Sequence, residues 1–193
     1  MKKQFLFALP VLALIGLMSF NSTMNTYELD GAHSGLRFGV THMGMSTVEG
    51  FFTKCSSKFA ASKEDYSDAV INFTAEVASI NTFNEYRDKD LLAEGYFDSN
   101  KFTTIEFNST GVKILDNHRV MILGNITMHG VTKPAQFMGT LKTGKNLMSG
   151  KETVAYHMTG TVKRSDFDLM PKLPTAIVSD EVEITANGEL SKM

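Results

Sequence analysis

Side chains equipped for chemistry are few in this sequence, and they are scattered. Charges crowd one stretch, where Glu85, Arg87, Asp88, Lys89 and Asp90 fall between Asn84 and Leu92. Asp88, Asp90 and the nearby Glu94 are the carboxylates that could act as general acid and base. No sequence feature indicates the burial that would tune them, and a charged turn is ordinarily just solvated. Two arginines stand beside acids, in Arg87-Asp88 and Arg164-Ser165-Asp166. Such a guanidinium either forks onto a carboxylate as a structural staple or orients the polar head of a ligand. The histidines, His33, His42, His118, His129 and His157, lack the close spacing that sets two imidazoles on one metal, and they read as capping or turn residues. His33 and Ser34 are not a catalytic pair, because neighbours on a strand point to opposite faces. The single cysteine, Cys55, excludes an intrachain disulfide and any multi-cysteine zinc or iron–sulfur site. Its thiol reads as buried or inert, with intermolecular pairing as the alternative. There is no Gly-x-Ser-x-Gly elbow, no His-Glu-x-x-His, no phosphate-cradling glycine loop and no Rossmann fingerprint. No catalytic residue, cofactor or metal is assigned.

The elements that would position these groups belong to an ordinary globular composition. The chain has 193 residues, 42% of them hydrophobic and 21% charged, which fits one domain. Nineteen Lys and Arg against 21 Asp and Glu give a net charge of -2 with no basic cluster, so a nucleic-acid partner is not expected. Lys2 and Lys3 precede an apolar run from Phe5 to Met18, and no further charge occurs until Glu28, the layout of a secretory signal ending near Ser22. Pro10 and Gly16 interrupt that run, which is short for the about 20 apolar residues of a membrane span. The expectation is an exported protein, periplasmic or secreted, with no permanent span and one domain over residues 23–193.

That domain alternates with period two. Leu36, Phe38 and Val40 alternate with Arg37, Gly39 and Thr41, and Ile71, Phe73, Ala75 and Val77 with Asn72, Thr74 and Glu76. Ile105 and Phe107 continue to Val112 and Ile114, and Asp116-Asn117-His118 reads as the turn of a hairpin returning through Arg119 to Thr127. There Val120, Ile122, Gly124 and Ile126 form one row, with Met121 and Leu123 opposite, so an outer packing layer is expected over this strand. Further strands span 135–143, 153–163 and 181–190. About eight short strands without βαβ spacing imply a sandwich or a barrel, and closure removes exposed edges. The expected fold is all-β, an eight-stranded antiparallel lipocalin-like barrel, with a short helix or ordered loop near residues 84–92 at a barrel end. Such a barrel can be filled by its own side chains or can hold one small ligand.

The run Tyr27-Glu28-Leu29-Asp30-Gly31-Ala32-His33-Ser34, continued by Phe38-Gly39-Val40-Thr41-His42-Met43-Gly44 and Val48-Glu49-Gly50-Phe51, resembles the opening of the YceI family. Further segments follow in that family's order: Ala78 to Thr82, Arg87 to Leu91, Tyr96-Phe97-Asp98, Ile105 to Ser109, Gly124 to Pro134, Arg164 to Phe167 and Asp180 to Ile184. The resemblance covers nearly the whole chain after the leader. It implies a lipocalin-like barrel whose elongated apolar interior takes polyisoprenoids or isoprenoid quinones, in exported bacterial proteins. Asp90 stands where a histidine is usual, Asp168 where a glycine often follows the aromatic, and Tyr27 where tryptophan is frequent. A negative charge at the mouth favours a neutral head, a quinone or a free prenol, over a diphosphate. Parity then nominates Leu36, Phe38, Val40, Ile71, Phe73, Phe107, Ile122 and Phe137 as the interior lining, with Arg87, Asp88 and Arg164 near the opening. Three functions stay open: a carrier or reservoir without covalent chemistry, an enzyme acting on such a ligand, and a structural envelope protein with a filled barrel. A homodimer is also left open.

Overall fold

A computed structural model describes residues 24–116 and 118–193. The leader to Ser22 and Asn117 of the hairpin turn lie outside the described residues. Eleven strand segments form one antiparallel sheet: β1 (Asn25–Leu29), β2 (Gly35–His42), β3 (Ser46–Phe52), β4 (Cys55–Ala61), β5 (Val70–Glu76), β6 (Ile80–Asn81), β7 (Thr104–Asp116), β8 (Arg119–Met128), β9 (Val131–Lys145), β10 (Glu152–Lys163) and β11 (Val178–Lys192). Three pairs of segments are single strands interrupted once, which leaves eight. A 3-10 turn at Gly31–His33 breaks the first and another at Val77–Ser79 breaks the third. Thr53 and Lys54 break the second.

The breaks in the second and third strands face each other, and each satisfies the other's backbone. Thr53 N–H donates to the Ser79 carbonyl (3.1 Å), Lys54 N–H to Ser79 Oγ (3.1 Å) and Glu76 N–H to the Lys54 carbonyl (3.0 Å). The chain therefore bends without stranding buried polar groups. The fifteen-residue β11 closes the sheet, because it pairs with β10 on one side and on the other with β2 and then β1, ending at Leu29 opposite Leu190. Closure into eight antiparallel strands is the expected architecture, and it leaves the interior diameter to the backbone.

Strand direction gives the barrel two unlike ends. At one end lie the β2–β3 turn, the 82–103 segment with its helix, the β8–β9 turn and the long loop before β11. The helix, α1 (Glu85–Leu92), falls within the expected stretch and starts where Asn84 Oδ1 accepts from Arg87 N–H (3.0 Å). The far end is solid. Tyr27, Phe59 and Tyr66 meet edge to face with ring centroids 5.5, 5.4 and 6.5 Å apart, beside the fully buried Val154 and Leu190. The Tyr27 hydroxyl donates to Glu152 (2.9 Å), which also receives Lys192 (2.9 Å).

The expected outer layer over β8 is absent among the described residues. Met121 and Leu123 are instead half-buried between outward side chains of the adjoining strands, where Met121 pairs with Lys113 and Met138. Cys55 is half-buried and donates weakly to the Phe52 carbonyl (3.4 Å). Burial pushes its thiol from the ordinary 9.0 up to about 11. Near pH 8 its thiolate fraction should thus be about a hundredfold below that of an unshifted thiol. A disulfide reagent should label the folded protein correspondingly slowly and the unfolded protein fast; equal rates in both would contradict the buried placement.

Candidate functional site

The inward rows of the strands do not meet across the barrel. They enclose a cavity of about 530 Å³ whose walls are overwhelmingly apolar, within the size range of small-molecule sites. All eight residues nominated by parity, Leu36, Phe38, Val40, Ile71, Phe73, Phe107, Ile122 and Phe137, lie in its wall. They are joined by residues outside that nomination: Met158, Ile184 and Leu190 from inward rows, Tyr156, and Leu169, Met170, Leu173 and Val178 from the long loop and the start of β11. The strand residues could have been found by extending the same parity. The loop residues carry no periodic signal.

Backbone register explains why the lumen stays open although it is rich in phenylalanine. Phe38 lies opposite Gly50 across the β2–β3 pair, and its ring lies against that glycine. A methyl group on Gly50 would sit 2.3 Å from Phe38 Cζ and 2.8 Å from Thr82 Cγ2. Phe137 stands in the same relation to Gly160, where a methyl would come within 2.6 Å of the ring. Each glycine lets a ring lie along the wall instead of across the space. The residual ring contacts are also lateral: Phe38 with Phe52 at 5.7 Å, and Phe107 edge-on to Phe137 at 5.2 Å.

The cavity opens at the α1 end. Arg37 and Asp90 are exposed while contributing to its boundary, and His42, Val48, Arg87, Leu91, Met170, Leu173 and Val178 are half-buried there. Arg87, Asp90 and Leu91 share one face of α1, as residues three and four apart must. The Arg87 guanidinium is already engaged, with Nε donating to Thr82 Oγ1 (2.7 Å) and Nη2 to the Thr82 carbonyl (2.6 Å).

Asp88 and Arg164 correct the sequence-based expectation. Asp88 turns away from the cavity, and its Oδ1 accepts from Thr82 N–H (2.8 Å) and Oγ1 (2.5 Å), so Thr82, Arg87 and Asp88 clasp α1 to the end of β6. Arg164 is only 2% exposed and is not in the cavity wall. Its guanidinium donates to five carbonyls, those of Ser179 (3.2 Å), Leu169 (3.4 Å), Met170 (2.7 Å), Leu173 (2.6 Å) and Val178 (3.2 Å). Neither expected role, head-group clamp or fork onto Asp166, is what it does. It gathers an irregular loop whose backbone has no ladder to join, and that loop supplies one side of the opening. The acid in its neighbourhood is used separately, Asp180 accepting from Ser165 N–H (3.0 Å) and Oγ (2.8 Å). Of the histidines, only His42 reaches the cavity. His33 pairs with Asp30 at 2.8 Å on the surface, and Glu189 lies close to both.

These features define a closed antiparallel barrel with an apolar chamber, solid at one end and open at the other. Residues 27–190 match the model of the YceI-like domain, and the chain belongs to that family. It is 29% identical over 189 residues to a UPF0312 protein of Shewanella putrefaciens, covering 97% of this chain and 98% of that one. Its structure is similar to the crystal structure of a Campylobacter jejuni YceI protein, with a TM-score of 0.71 and 26% identity over 79% of this chain and 90% of that one. It also resembles a polyisoprenoid binding domain from Saccharophagus degradans, with a TM-score of 0.66 and 14% identity over 86% and 98%; this likeness is one of fold.

Two substitutions separate wall from scaffold. Gly50→Ala should swing the Phe38 ring into the lumen and shrink the chamber, with the fold retained at a cost of about 1–3 kcal/mol. Arg164→Lys offers one ammonium for five carbonyls and should cost about 2–4 kcal/mol, since each unsatisfied buried acceptor costs about 1–3 kcal/mol. Urea denaturation reads the stability, and hydrogen exchange should report faster opening of residues 169–178 for the lysine variant alone. Unchanged exchange there would remove Arg164 from its role.

Proposed function

We propose that this chain is an exported lipid-binding protein that holds a polyisoprenoid or isoprenoid quinone in the barrel, as carrier or reservoir and without covalent chemistry. The observation that carries the reading is the chamber itself, overwhelmingly apolar in its walls and open at one end. An elongated hydrocarbon matches such walls, and the polyisoprenoid binding described for the Saccharophagus degradans domain, which shares the fold, supports the same choice.

Magnitudes favour the tail as the source of affinity. Burying roughly 500 Å² of prenyl surface gains about 12 kcal/mol gross, against roughly 4–15 kcal/mol for association and ordering. A neutral hydrogen bond at the rim adds about 1 kcal/mol, enough to orient a head group and too little to hold it. Asp90 borders the opening and Arg87 is occupied by Thr82. That arrangement suits an uncharged head, a quinone or prenol, better than a diphosphate. The enzymatic alternative loses Asp88, whose carboxylate is committed to Thr82. Export rests on the charged and apolar leader in the sequence.

Organic extraction and mass spectrometry of the protein purified from its native envelope should yield a specific prenyl lipid. Phe38→Asp places a carboxylate in the apolar wall, where an unpaired charge costs several kcal/mol once a ligand displaces water, and should abolish co-purification. A folded Phe38→Asp protein that keeps its lipid, or a wild-type extract free of prenyl lipid, would count against the proposal.

A further inference from the structure

The sheet and the chamber account for most apolar side chains, but not for a set at the rim. Met45 is 82% exposed, Phe83 82% and Tyr86 86%, with Met43 and Ile177 also exposed. They come from the three segments that border the opening. Met43 and Met45 flank the tip of the β2–β3 turn, Phe83 and Tyr86 lie at the start of α1, and Ile177 is tied to the turn by Met43 N–H donating to its carbonyl (2.8 Å). Phe83 packs on the outer side of the barrel, edge-on to Phe51 at 5.7 Å.

Two of these residues are held in a costly backbone conformation. Met43 has φ 50° and Phe83 φ 58°, both in the left-handed region that favours glycine and asparagine. Met43 precedes Gly44 at φ 67° in a turn closed by Met45 N–H to the His42 carbonyl (3.0 Å), a position where Asn-Gly is the relaxed choice. A bulky side chain raises the conformational energy at such a site, and these two recover little by burial within the chain. At the far end, Leu147 and Met148 are more exposed still, on one turn, but neither has a positive φ and the barrel there is packed shut.

We propose that the rim docks on the surface of a lipid bilayer, with Met43, Met45, Phe83 and Tyr86 entering the interface around the opening. The inference rests on the reading of the chamber as a prenyl-lipid site and adds the route by which such a lipid reaches it. Separate exposed side chains on a turn and at the start of a helix lack the flat contiguous face of a protein–protein interface, but suit a fluid phase that closes around each of them. Aromatic residues at the border of an apolar patch also match the headgroup region. Met43 and Ile177 directly adjoin His42 and Val178, which border the chamber, so a docked rim brings the opening to the bilayer.

The test uses vesicles of phosphatidylethanolamine and phosphatidylglycerol and the protein as its host processes it. In flotation, the wild type should bind, and the double variant Met43→Asn with Phe83→Asn should bind roughly tenfold more weakly or worse. Asparagine tolerates the left-handed conformation, so the same variant should melt at or above the wild-type temperature; an affinity loss with intact stability is not what a structural role gives. The matched far-end variant, Leu147→Asn with Met148→Asn, should bind like the wild type. No vesicle binding by the wild type, equal binding by the rim variant, or a loss confined to the far-end variant overturns the proposal. Uptake of a prenol from detergent should be the same in the rim variant and the wild type. Failure of the wild type to take up prenol would overturn the chamber reading, whereas vesicle flotation judges the rim alone.

Discussion

Closure of the hydrogen-bonded ladder by β11 is the constraint on which the rest depends. This strand must serve three neighbours, β10 on one side and both halves of an interrupted strand on the other, and it does so in one unbroken run of fifteen residues. Once it is in place, wall spacing is set by backbone pairing instead of by how well side chains fill the middle. An open sheet would have to collapse onto its apolar face to bury it. A closed one can leave space inside, provided that its inward side chains are kept from bridging the gap, which is the part Gly50 and Gly160 play opposite Phe38 and Phe137.

The polar groups at the open end follow from the same geometry. A barrel end is where ladder bonding stops, and the chain there must satisfy its backbone by other means. Three side chains are consumed in doing so. Asp88 and most of Arg87 are taken up by Thr82, and the buried Arg164 by carbonyls of the loop before β11. Residues that look like recognition groups in the sequence are thus largely structural, and they leave the chamber a mouth shaped by charge but with little free charge inside it. On the proposed function, that division leaves affinity to hydrocarbon contact and orientation to a few rim groups.

How much of this was legible in the sequence depends on what kind of order each part has. The rows Leu36-Phe38-Val40 and Ile71-Phe73 were readable because a strand buried on one face writes period two into its composition. The helix at Glu85–Leu92 was readable from a charged break in that rhythm. β4 was not, because its inward row is Cys55, Ser57, Phe59 and Ala61, too small and polar to stand out against Ser56 and Lys58. The outer layer expected over β8 failed for a different reason: Met121 and Leu123 find cover from adjacent strands, which alternation within one strand cannot reveal. The role of Arg164 was illegible because carbonyls five to fifteen residues further along the chain leave no trace in residue types. Hollowness was illegible too, since Phe opposite Gly means open space only once register is known.

The packed aromatic floor of Tyr27, Phe59 and Tyr66 has a bearing on how a hollow barrel keeps its form. Phe59 faces the chamber from this floor whereas Tyr27 and Tyr66 do not, so the closed end is held chiefly by contacts of the protein with itself. A vessel bolted together at its base in this way keeps its shape without a filling.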